Sequence, residues 1–519
     1  MDKERGLVRA AGAMSVMTML SRIAGYVRDN LQAAVLGALN SADAYVIAFR
    51  IPNMLRRLVA EGALTSAFVP TFSHYMQRED RKALWRFTAS VLYVLTATLA
   101  AIVALGILFS PLFVSLLAWG YTDDPAKLAL TVSLNRLMFP YIFFISLAAI
   151  ASGILNSFDS FALPAFTPVL LNLSIIGCAL GLSHRFSDPA YAFAVGVLIG
   201  GFLQLVVQIP PLLRHGIDLR PPRPFDRAGL REVGRLMLPR VFGAGVTQIN
   251  LVVDSQFATS LQTGSVAFLY YANRVTELSL GVFAISLSTV ILPSLSRASA
   301  AGDRVRVTET LATAARLLLF VTLPATVGLV LLRVPIIHVL FEHGRFTRDD
   351  TMLTAGALAY YALGLLPFAA ISVLASAFYA HRDTRTPVMV GALTFFLHLG
   401  LNFALREPMA HRGIALSTSI SAMVDAMLMA WLLRRRCGEF LGRPFVRSAV
   451  RTVAAAGAMA GAIVLARPHV NVLQAAGVAQ KAMQLSLLVL GGGLVFAAVA
   501  ALLGSEEVRL IGRLRNRRP

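Results

Sequence analysis

The stretch from Ser21 to Leu64, SRIAGYVRDNLQAAVLGALNSADAYVIAFRIPNMLRRLVAEGAL, has the length and apolar content of two membrane-crossing helices. It also holds Arg22, Arg28, Asp29, Asp43, Arg50, Arg56, Arg57 and Glu61. An arginine at the centre of a spanning helix costs about 2.5–3.5 kcal/mol even on the lenient insertion scale, so Arg22, Arg28, Arg56 and the later Arg274 would together cost on the order of 10–14 kcal/mol against lipid. A sum of that size rivals the net stability of a whole domain. These side chains therefore face the protein interior, where they are neutralised in pairs or line a wet cavity.

The rest of the chain agrees. Of 519 residues, 57% are hydrophobic and 14% charged, and apolar runs of spanning length recur from roughly 8–37 to roughly 483–504, about fourteen in all. The expectation is an all-α polytopic membrane protein. A formal charge of +20 raises the possibility of nucleic acid, but the basic residues sit between apolar runs without interleaved aromatics. They follow the positive-inside pattern instead. With the N-terminus in the cytoplasm, Arg78/Arg81/Lys82/Arg86, Arg214/Arg220/Arg223/Arg227, Arg297/Arg304/Arg306, Arg382/Arg385, Arg434/Arg435/Arg436/Arg443 and Arg513/Arg515/Arg517/Arg518 all fall on one side. Opposite loops such as WGYTDDPAK carry few, and both termini are expected in the cytoplasm. The first apolar segment holds charge and no small-residue cleavage site, so it is not expected to be a signal peptide. Cys178 and Cys437 have no CxxC or Cys/His partner at ligand spacing, and no P-loop, HExxH or nucleophile-elbow pattern occurs. Neither an enzyme nor a cofactor is expected.

The chain also repeats itself. Residues 44–73 lie over residues 267–296 without a gap, and both copies end in Pro-x-x-Ser, while FPYIFFISLAA near 139 is echoed by LPFAAISVLAS near 366. Six helices per copy give two halves of the same topology, related by an axis along the membrane normal. The expected organisation is an N-lobe over 1–215, a C-lobe over 216–436, and a helix pair with a basic tail over 437–519. Paired lobes of this kind hold substrate at their interface and alternate access by rocking.

Helical phase divides the charges. Asp43, Arg50 and Arg57 are spaced by seven and form one stripe, with Glu61 one turn further on, so Asp43/Arg50 and Arg57/Glu61 are candidate pairs. Arg22 and Asp29 share a face, and Arg28 points about 120° away from it unless the helix bends at Gly25. Arg28 and Arg56 are then the least neutralised. In YYANRVTEL, Arg274 and Glu277 lie one turn apart beneath Tyr270 and Tyr271. The surplus is cationic, and guanidinium binds the oxygens of phosphate or diphosphate bidentately. Each pair could equally fix helix packing. Asp254 and Asp425 are lone acids suited to Na⁺, a proton or a hydroxyl partner, and His398 and Asn402 share a face that favours interhelical hydrogen bonds over a cation site.

At SRIAGYVRD, at DAYVIAFRIPNMLRRLVAEGALTSAFVPTF and at YYANR the sequence resembles the MurJ/MviN family, the bacterial lipid II flippases of the multidrug/oligosaccharidyl-lipid/polysaccharide exporter superfamily. The likeness covers nearly the whole chain. It implies two six-helix lobes around a central cationic cavity, a final helix pair forming a groove for the undecaprenyl tail, and a place in the bacterial cytoplasmic membrane. It also implies that Arg22, Arg28, Arg56 and Arg274 bind the diphosphate head group of lipid II, with Asp29, Asp43, Arg57, Glu61 and Glu277 as supporting polar residues. Asn273 stands where some relatives have Asp, which removes a possible partner of Arg274. Some members bind Na⁺ near the seventh, eleventh and twelfth helices, which makes Asp254 and Asn402 weak metal candidates, with Arg406 a poor neighbour for a cation. Expected partners are lipid II, membrane lipids and cell-wall synthesis proteins. The alternatives are a flippase for another polyprenyl-diphosphate glycan, whose anion is the same, and a drug/cation antiporter, which would favour intramembrane acids over arginines.

Overall fold

In the computed structural model, residues 2–58, 64–78, 80–218, 220–222, 224–475 and 477–508 are described. Among them there is helix and no strand, and ten helical segments are long and apolar enough to cross a membrane. The chain is an all-α polytopic membrane protein. It divides into two units, residues 1–267 with 343–346, and residues 268–342 with 347–519.

The first unit holds α1 (Asp2–Leu36), α2 (Asn40–Arg56), α3 (Thr65–Gln77), α4 (Arg81–Leu108), α5 (Ser110–Leu117), α6 (Pro125–Met138), α7 (Tyr141–Ser157), α8 (Ala162–Leu182), α9 (Ala190–Val206), α10 (Ile209–Arg214) and α11 (Arg227–Thr259). Several of the apolar runs are therefore broken. The run over 129–156 becomes α6 and α7, parted at Pro140, which has no N–H to continue the helical ladder. Buried polar groups at this break are matched: Asn135 donates to the Ala48 carbonyl at 2.9 Å and accepts from Ser110 at 2.8 Å. The core at the α3–α4 end is aromatic, with Phe68 and Tyr75 each stacked on Phe87. Tyr75 donates to Asp226 at 2.6 Å, and Asp226 caps α11 through the Gly229 amide. One hydroxyl thus ties α3 to the start of α11.

The second unit holds α12 (Ser265–Ala300), whose first turn is counted with the first unit, then α13 (Arg304–Phe341), α14 (Arg348–Leu363), α15 (Leu365–Ala380), α16 (Arg385–Met409), α17 (His411–Cys437), α18 (Arg443–Ala466) and α19 (Val478–Leu502). The last pair packs on α13 through Phe320, Leu332, Met459, Ile463, Leu488 and Phe496. Its polar anchor is the buried Glu507, which accepts from Ser448 at 2.9 Å and Ser505 at 2.6 Å.

The segment from His343 to Phe346 belongs to the first unit although its flanks belong to the second. It lies on the end of α1, where the Arg345 amide donates to the Ala34 carbonyl at 2.8 Å. Backbone meets backbone there, and both glycines involved, Gly37 (φ 63°) and Gly344 (φ 58°), are left-handed. A Cβ at Gly344 would stand 2.3 Å from the Ala34 oxygen.

Candidate functional site

Arg22, Arg28 and Asp29 all lie on α1, with Arg22 exposed. Arg28 donates to Asp29 Oδ1 through Nε at 3.1 Å and Nη2 at 2.6 Å, and its Nη1 donates to Asn172 Oδ1 of α8 at 3.0 Å. Asn172 in turn donates to the Ser21 carbonyl at 3.2 Å. The Arg28 and Asp29 side chains are 12% and 9% exposed. Asp29 thus partners Arg28, a contact that helical phase alone did not point to. Adjacent residues diverge by 100° at Cα, but the long arginine stem curls back and brings its planar head to the carboxylate.

Asp43 corrects a second pairing. It is 1% exposed at the start of α2, and its partner is Lys127 of α6 (Nζ to Oδ2, 2.8 Å), not Arg50. The same carboxylate accepts the Gly264 amide on Oδ2 at 2.8 Å and the Ala267 amide on Oδ1 at 2.9 Å, so it caps the first turn of α12. The Lys127 ammonium also lies 4.4 Å from the centre of the Tyr121 ring. Burial, and then the nearby Asp43 carboxylate, push the Tyr121 phenol well above its usual range, with Arg50 opposing. Arg50 donates to Ser255 of α11.

Arg56 is half-buried and donates Nε to Asn53 at 3.0 Å, whereas Arg57 is exposed at the end of α2. The motif's preference for Arg56 and the phase preference for Arg57 are thus separated by burial. Glu61, and with it the expected Arg57/Glu61 pair, lies outside the described residues.

In α12 the expected pair is present: Arg274 Nη1 donates to Glu277 Oε2 at 2.8 Å, and the guanidinium lies over the Tyr270 ring at 5.0 Å. Asn273 donates to the other carboxylate oxygen at 3.1 Å. An aspartate at 273 would repel Glu277, whereas the amide here helps to hold it beside Arg274.

The cation candidates are placed differently. Asn402 bonds to His398 at 3.1 Å, and His398 Nδ1 lies 3.2 Å from Ser417 Oγ, so α16 and α17 are joined by the expected interhelical hydrogen bonds. Asp425 accepts from Thr394 at 3.3 Å. Arg406 lies over the Phe403 ring at 5.4 Å, and Asp254 is half-buried on α11. Among the described residues, no three His, Cys, Asp or Glu side chains are grouped to hold a metal ion.

Lys127, Asn172 and Asn53 were not singled out by sequence. For Lys127 a signal exists in Asp-Asp-Pro-Ala-Lys. Asp124 followed by Pro125 starts a helix, and Asp124 does accept the Lys127 amide at 3.0 Å. That puts a lysine in a first turn, where the helix dipole disfavours a cation unless an anion is near. Chemically, the arrangement offers guanidiniums inside apolar helices, each sharing a carboxylate or amide that an incoming oxyanion could replace.

The chain matches the family described as "Lipid II flippase MurJ" over residues 32–503. It is 36% identical over 505 residues to a "Probable lipid II flippase MurJ" of Vibrio cholerae, covering 96% of each chain. It is 35% identical over 460 residues to the "Lipid II flippase MurJ" of Burkholderia cenocepacia, covering 88% of this chain and 89% of that one. Among solved structures, a lipid II flippase MurJ in an inward closed conformation superposes with a TM-score of 0.77 at 28% identity, over 96% of this chain and 99% of the other. An inward-facing multidrug resistance MATE transporter shares the fold, with a TM-score of 0.69 at 14% identity over 83% of this chain and 98% of the other.

Proposed function

We propose that this chain, which belongs to the MurJ family of lipid II flippases, binds the diphosphate of lipid II on Arg22, Arg28, Arg56 and Arg274 and carries it outward across the bacterial cytoplasmic membrane. It is a multi-pass membrane transporter and not an enzyme. The observation that carries the site is the state of Arg28 and Arg274. Both are guanidiniums within apolar helices, and each is bonded to a carboxylate that a diphosphate can displace. Asp29, Asp43, Arg57, Glu61 and Glu277 support them. Guanidinium remains charged at any accessible pH and matches phosphate oxygens two at a time.

Transport proceeds by alternating access of an N-lobe over 1–215 and a C-lobe over 216–436, with both termini in the cytoplasm and 437–519 serving the prenyl tail. Only the head group needs shelter, because the tail remains in lipid. With the cell interior negative, outward movement of the anion is favoured by about 2.3 kcal/mol per charge per 100 mV, and so is inward return of an empty cationic site. Membrane potential alone then suffices as the driving force. Cell-wall synthesis proteins are the partners expected to consume the flipped lipid.

The test is the outer-face accessibility of lipid II in cells that rely on this protein alone, read with an added enzyme that cleaves exposed lipid II. Accessibility should collapse within minutes of acute inactivation while total lipid II rises. Unchanged accessibility would remove lipid II as the substrate. Arg274→Ala and Arg274→Lys flipping equally, at the wild-type rate, would remove that side chain from the site.

A further inference from the structure

The buried Asp43–Lys127 pair binds no lipid in the reading above, yet it is among the most enclosed charged contacts described here. Asp43 is 1% and Lys127 7% exposed, so neither water nor salt screens them. The carboxylate joins three segments: it stands on α2, pairs with Lys127 on α6, and accepts both the Gly264 and Ala267 amides at the start of α12. The residue before helix α12 is Gly264, which has no side chain to cap it, and the buried Ser265 hydroxyl in its first turn makes no hydrogen bond among the described residues. The cap comes from Asp43. Arg274 follows on the same unbroken helix, seven residues beyond Ala267, or about 10 Å along the axis at 1.5 Å per residue.

We propose that Lys127 is a positioning residue for lipid transport: it neutralises Asp43, keeps that carboxylate on the first turn of α12, and so fixes the height and rotation at which the helix presents Arg274. This rests on the assignment of Arg274 to the diphosphate. A carboxylate that lost its ammonium in so enclosed a place would be an unpaired buried charge, which proteins relieve by rearrangement. The first turn of α12 is what such a rearrangement would release.

The full-length protein in proteoliposomes, supplied with lipid II, tests this through Lys127→Met, Lys127→Arg, Arg274→Ala and the doubles Asp43→Asn/Lys127→Met and Lys127→Met/Arg274→Ala, each read by flipping rate and thermal melting. Lys127→Met should slow flipping by at least about tenfold, as loss of one member of a buried pair does, and Lys127→Arg should stay within about threefold of wild type. Asp43→Asn/Lys127→Met should be faster than Lys127→Met, since the asparagine oxygen still accepts an amide and no charge is left unpaired. Lys127→Met/Arg274→Ala should be no slower than the slower single variant, the signature of two residues acting through one element. Wild-type flipping by Lys127→Met, a neutral double as slow as Lys127→Met, or fully multiplicative effects of Lys127→Met and Arg274→Ala would each overturn the proposal. If Lys127→Met does not fold, the neutral double and Lys127→Arg decide: both active supports it, and both inactive with wild-type melting overturns it. Wild-type flipping by Arg274→Ala would instead remove the underlying site, and that result needs no Lys127 variant.

Discussion

Asp29→Asn separates two roles for the carboxylate that holds Arg28. In the empty protein Asp29 Oδ1 receives both Nε and Nη2 of the guanidinium, at 3.1 and 2.6 Å, with both side chains nearly enclosed. Unit charges at such a separation attract by about 6 kcal/mol at an effective dielectric near 20. Desolvation offsets most of that, and a hydrogen bond to a charged group contributes about 1.5–3 kcal/mol net. Asparagine keeps one acceptor oxygen and loses the charge, so the empty protein should lose about 2 kcal/mol. If the diphosphate takes over the same guanidinium, the bound state does not share that loss, and lipid II should bind Asp29→Asn about thirtyfold more tightly, at 1.36 kcal/mol per tenfold. Flipping should slow, because the added affinity stabilises the loaded state and not the passage between faces. Thermal melting in the presence and absence of lipid II, equilibrium binding of lipid II, and the flipping rate in proteoliposomes read these three effects in turn. A variant that melts lower when empty but binds lipid II no more tightly would refute competition between Asp29 and the substrate.

Gly344→Ala should destabilise the protein by about 2–4 kcal/mol, since it adds left-handed strain to a clash with the Ala34 oxygen, and thermal melting reports it. Asp383, in the turn between α15 and α16, is held down to about 2, first by the Thr386 hydroxyl and amide and further by Arg436. A carboxyl depressed in the folded state stabilises above its unfolded value, near 3.8, and loses that contribution as pH falls through about 2. The melting temperature of the wild type should therefore drop between pH 5 and pH 2 more steeply than that of Asp383→Asn, and parallel curves would contradict this reading.

The architecture was legible because hydrocarbon imposes a simple rule: spanning length and positive-inside charge mark helices whatever they pack against. Breaks within the runs followed local chemistry, as at Pro140. The charge pairs were less legible, for two physical reasons. Helical phase compares positions on one helix, so it set Asp43 against Arg50, whereas the partner Lys127 lies 84 residues away on α6. Phase also treats side chains as rods, which hid the contact between neighbours Arg28 and Asp29 that a flexible stem makes. Where both residues were on one helix and one turn apart, as with Arg274 and Glu277 or His398 and Asn402, the spacing was enough.

The two resident carboxylates change how strongly voltage acts on the empty carrier. In the transport cycle proposed above, Arg28 travels with Asp29 and Arg274 with Glu277, so these two arginines add no net gating charge to the empty carrier. Crossing the full field, the two carboxylates offset about 5 kcal/mol per 100 mV. A diphosphate that displaces the carboxylates does not expel them, so it adds its own negative charge to the carrier, and the outward step proposed above keeps its pull from voltage. In that cycle a de-energised cell loses the pull on both the loaded and the empty step.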